Sequence, residues 1–144
     1  MRTMADPCSG DRLTTLIEAA LLAAREARIA LQDRVLPHLP PARRLAGARV
    51  LRMIERRELF TDRFRDDLDH LLGQIDGRIA AGSFRCWEPK PDDLPGGSWQ
   101  IIRSPEAEML VAASVPIRAL DAALCAVRAA REAQSVAFDL IQPN

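Results

Sequence analysis

The stretch Arg43–Ala81, RRLAGARVLRMIERRELFTDRFRDDLDHLLGQIDGRIAA, decides the fold. At about 100° per residue, Val50, Met53, Ile54, Phe60, Phe64, Leu68, Leu71, Leu72, Ile75 and Ile79 fall on one face, which predicts a helix over about 42–81. Pro41 suits its first turn, and Gly82 stands where a left-handed C-terminal cap is wanted. Unbroken, such a helix is ~58 Å long at 1.5 Å per residue. Thr61 followed by Asp62 is a capping site inside it at which the chain could bend or restart.

On the N-terminal side, Asp11 reads as the cap of a helix over about 11–36, and residues 1–10 read as a disordered lead. Leu13, Leu16, Ile17, Ala20, Ala24, Ala27, Leu31 and Val35 make its core stripe. Opposite lies a second row, Leu22, Ile29 and Leu36, spaced by sevens. A helix that is apolar on two sides has something on both: either another segment of the same chain or a subunit. Pro37, Pro40 and Pro41 then stop the helix, and so short a connection favours an antiparallel neighbour.

On the C-terminal side, residues 83–103 change character. Phe84–Glu88 and Trp99–Ile102 alternate like strands around a segment rich in proline and glycine, which reads as a β-hairpin or an ordered loop. A two-stranded hairpin is not stable alone, so docking on the helices is expected, with Trp87 and Trp99 as its anchors; exposed, they would be hot-spot types for a partner. Ser104, Pro105, Glu106 and Glu108 then open a last helix to about 141. Pro116 predicts a kink in it, or an end near Ser114. Leu120, Leu124, Val127, Phe138 and Ile141 form its apolar side.

The fold class expected is all-α with at most one small hairpin: an elongated antiparallel bundle of three helices in a single domain, 11–144. Composition agrees, being 48 % hydrophobic but only 4 % aromatic, which suits helices packed closely on helices. A chain of 144 residues can bury ~68 % of its unfolded surface. Gly73 and Gly77 weaken the central helix by ~1 kcal/mol each relative to Ala, and they make sense if another backbone passes closely there.

Acids and bases balance at 20 each, which disfavours a dedicated nucleic-acid binder. Lys90 is the single lysine, as a GC-rich genome would produce, although arginine forks also suit carboxylate and phosphate. Cys8, Cys86 and Cys125 form no CxxC pair and read as free thiols, with Cys125 buried. No apolar run has the length of a signal peptide or a membrane span, which implies a cytoplasmic protein without a membrane partner.

Charge is polarised along the central segment. Arg43–Arg57 holds six arginines against Glu55, and Glu58–Ala81 holds six acids against three arginines. On one helix this opposes the dipole, which favours acids first. Arg49, Arg52, Arg56 and Arg63 could form a basic stripe along DNA, or the basic half could meet an acidic surface, in cis or on a partner. His70 with Asp66 and Asp67 is half of a dimetal pattern that has no second half, and with His38 following Pro37 and His70 outward on its helix neither histidine reads as a buried base. The sequence therefore predicts no enzyme, cofactor or metal. It points to an interaction or regulatory adaptor acting as a homodimer or on a protein with an acidic surface; the alternative is a nucleic-acid-binding regulator.

Overall fold

The computed structural model describes residues 8–91 and 94–141, with side chains for 11–91 and 94–137. The chain is mostly helical, 77 %, with four helices and one two-stranded antiparallel sheet. Helix α1 (Cys8–Ala30) starts three residues before the expected Asp11 cap and runs on through a π turn at Leu31–Val35. Short 3-10 turns at Leu36–His38 and Pro41–Arg43 lead to α2 (Arg44–Glu55). Then come α3 (Asp62–Ala81), β1 (Ser83–Pro89), β2 (Gly97–Arg103) and α4 (Pro105–Ile141). The lead, as far as residue 7, lies outside the described residues, and so do the side chains of Phe138 and Ile141.

The central segment is two helices, not one. After Glu55 the backbone turns left-handed at Arg57, φ 60°. Arg57 N–H donates to the Ile54 carbonyl at 3.0 Å, and Glu58 N–H donates to the Met53 carbonyl at 2.9 Å. Together these bonds form the Schellman closure of a helix C-terminus, here with arginine where glycine usually stands. The chain restarts at Thr61, whose Oγ1 accepts from Phe64 N–H at 3.1 Å. Because the break shifts the helical phase, Leu59 enters the core, while Phe60, expected there, stays exposed.

The break also removes the charge conflict. Arg52 lies in the last turn of α2 and Asp62 in the first turn of α3, so each meets the helix end that favours its sign.

Helix α4 is the organiser, packing against α1 on one side and α3 on the other, with α2 closing on α3. The core runs from Ala20, Ala24, Ala27 and Leu31 through Val50, Met53, Phe64, Leu68, Leu71 and Ile75 to Ile117, Leu120 and Val127. Alanines on α1 let α4 approach closely, as the composition implies. Pro116 neither ends α4 nor divides it; Ala112, whose carbonyl loses its donor, lies on the exposed side.

At the other junction Gly82 is not left-handed, with φ −99°. Its role is close approach: a Cβ there would fall 2.6 Å from Ser104 Oγ and 2.9 Å from Ala107 Cβ. The Gly82 carbonyl accepts from Ser104 N–H at 2.8 Å, and Ser104 Oγ caps α4 by accepting from Ala107 N–H at 3.1 Å. Arg78 pairs with Glu106 at 2.7 Å, and Asp76 pairs with Arg118, tying α3 to α4.

Candidate interaction surfaces

The hairpin stands away from the helices. Ser83 pairs with Arg103, Trp87 with Trp99, and Pro89 with Gly97. Apart from half-buried Gly97, every described residue from Phe84 to Arg103 is exposed. Docking on the helix surface, expected from the marginal stability of two strands, does not occur.

The hairpin is held by its own side chains. Strand alternation puts Arg85, Trp87, Trp99 and Ile101 on one face, and Phe84 with Ile102 on the other. The two indoles meet edge to face with centroids 5.4 Å apart, and Arg85 lies 5.0 Å over the Trp99 ring. Gly97 makes room for this packing, since a Cβ there would stand 2.8 Å from the Trp87 ring. Trp87 and Trp99 remain 48 % and 57 % exposed. They anchor each other rather than the hairpin to the helices.

The second apolar row of α1 divides. Leu22 is 60 % and Ile29 55 % exposed, whereas Leu36 packs against the core beside Gly47 of α2. The chain itself thus covers one end of the row. On α4, a neighbouring outward row runs Ala112, Val115, Ala119, Ala122, Ala126, Ala129, Ala133 and Val136, alternately three and four residues apart and without a charge. The sequence does not single out this row, because alanine suits a closely packed helix face and an exposed one equally.

The arginine stripe is not one helix face. Arg49, Arg52 and Arg56 belong to α2 and its end, while Arg63 belongs to α3. Arg49 lies 3.9 Å from Asp67, so part of the basic half meets the acidic half in cis.

Gly73 and Gly77 face open space, with nothing within 4 Å of a Cβ at either, and no backbone passes there. Cys86 and Cys125 are both exposed, contrary to the expectation for Cys125. His70 Nε2 lies 3.4 Å from Gln74 Nε2, and among the described residues no three His, Cys, Asp or Glu side chains converge on a metal position. By length and composition α4 is long and apolar enough to cross a membrane: within Pro105–Ala137 an 18-residue stretch has mean hydropathy 1.7, although Glu106, Glu108, Arg118, Asp121, Arg128, Arg131 and Glu132 fall in the same segment.

No family model matches the chain, and no curated protein or solved structure matches it.

Proposed function

We propose that the protein is a non-enzymatic, cytoplasmic interaction adaptor that acts as a homodimer through the outward faces of α1 and α4. In this reading the chain is a helical bundle of three arms, with α2 and α3 forming one bent arm. The observation that carries it is that Leu22 and Ile29 remain more than half exposed, one helical heptad apart. Full burial of such side chains is worth ~1.5–3 kcal/mol each, and a two-fold interface counts each twice. The α4 row itself carries no charge, with Arg12 of α1 standing beside its Ala126, Ala129 and Ala133, so a second helix packed on the row buries mainly small apolar side chains. The exposed pair Trp87 and Trp99 would then serve a protein partner, aromatic rings being the side chains on which binding energy concentrates.

Sedimentation velocity over a concentration series tests the reading. A dimer is expected, with Ile29→Asp giving a monomer of unchanged helix content. A concentration-independent monomer, in which Ile29→Asp alters neither association nor stability, would remove it. The nucleic-acid alternative rests on Arg52 and Arg56, which have no ion-pair partner among the described residues. It predicts a salt-dependent gel shift with duplex DNA that is lost in Arg52→Glu with Arg56→Glu.

A further inference from the structure

At the end of the molecule away from the hairpin, the break between α2 and α3 leaves a cleft of about 350 Å³ against α4. Its floor is apolar: Leu59, Leu124 and Val127 are all buried. Three guanidiniums line it, Arg65 from the start of α3 and Arg128 and Arg131 from α4. Among the described residues none of the three has an ion-pair or side-chain hydrogen-bond partner. The Arg131 guanidinium lies 5.0 Å over the Phe60 ring, which limits its freedom and leaves the ring at the cleft wall.

Asp62 and Glu132 line the same cleft. Its walls thus offer cationic forks, an aromatic ring and carboxylate acceptors together, and the first turn of α3 adds the positive end of its dipole. These are the complements of a phosphate, a planar ring and hydroxyl donors. A volume of this size falls at the small end of small-molecule sites.

We propose that this cleft binds a nucleoside monophosphate: the phosphate on Arg65 and Arg128, the base against Phe60 and Arg131, and the ribose hydroxyls donating to Asp62 and Glu132. The site is separate from the outward faces of α1 and α4 and does not depend on dimerisation. Phe60 explains why the break is built as it is: with the phase shift placing Leu59 inside, the larger ring is free to stand at the cleft mouth.

Calorimetric titration of the full chain with AMP, adenosine and inorganic phosphate tests the proposal. AMP is expected to bind with Kd below about 1 mM, at least tenfold tighter than either fragment. Arg65→Gln and Arg128→Gln should each weaken AMP by tenfold or more. Phe60→Ala should weaken AMP without changing phosphate binding, and Arg63→Gln, outside the cleft, should change nothing. Circular dichroism checks that each variant is folded. The proposal is overturned if AMP gives no heat at millimolar concentration, if adenosine or phosphate alone binds as tightly, or if AMP binding survives the Arg65→Gln, Arg128→Gln double variant.

Discussion

Arg57 donates its backbone N–H to the Ile54 carbonyl at 3.0 Å while holding φ at 60°, a left-handed conformation that a side-chain-bearing residue adopts at a cost of roughly 1–2 kcal/mol. The bond closes α2, so the cost is sustained by the helix end. Glycine takes this conformation freely but is more flexible in the unfolded chain, by roughly 0.4–1 kcal/mol. Arg57→Gly is therefore expected to stabilise the protein by up to about 1 kcal/mol, read as a higher urea midpoint with unchanged slope. Arg57→Val, β-branched at the same φ, should lower the midpoint.

The restart of α3 depends on one hydroxyl. Thr61 Oγ1 accepts from Phe64 N–H at 3.1 Å. Thr61→Ala is expected to cost about 1 kcal/mol and Thr61→Ser very little. The comparison separates the cap from the methyl group, since serine keeps only the former.

Much of the fold was legible because its signals are local. Ser104 followed by Pro105 and Glu106 marked the start of α4, and the alternation around Trp87 and Trp99 marked the hairpin. The break at Arg57 was harder to read, because the motif that ends α2 uses arginine where the sequence cue is glycine. The misplaced glycine logic at Gly73 and Gly77 has a similar origin: a sequence shows that a side chain is missing, not whether a neighbour fills the space. Charge polarity points to the break as well as to a surface, since bases followed by acids are unfavourable on one helix but favourable at the facing ends of two. The cleft at Arg65, Arg128 and Arg131 could not be read at all, because its residues come from helices more than sixty positions apart and meet only through the break.

Three glycines test this distinction between open and filled space. Gly73 and Gly77 have nothing near a Cβ, so alanine at either position gains helix propensity and is expected to stabilise by roughly 0.5–1 kcal/mol. Gly82→Ala should do the opposite, because its Cβ would press on Ser104 Oγ and Ala107 Cβ, the first turn of α4. Thermal melts of the three variants should order them accordingly; a stabilised Gly82→Ala would mean that the junction between α3 and the hairpin relaxes without loss.

The two tryptophans, the only ones in the chain, both lie on the hairpin, and tyrosine is absent. Intrinsic fluorescence therefore reports the hairpin, while far-ultraviolet circular dichroism reports the helices. The strands are held by their own seven-pair ladder, by the Trp87–Trp99 contact and by the covalent ends at Gly82 and Ser104, with no helix covering either face. Two isolated strands are marginal in water, so the hairpin should open at a lower urea concentration than the helical core. The fluorescence and dichroism transitions are expected to part, with fluorescence first. Trp87→Ala should widen the gap, because it removes the edge-to-face contact while touching nothing in the core, and the dichroism midpoint should stay within about 0.5 kcal/mol of the parent. Coincident transitions would show instead that the hairpin and the helices unfold as one cooperative unit.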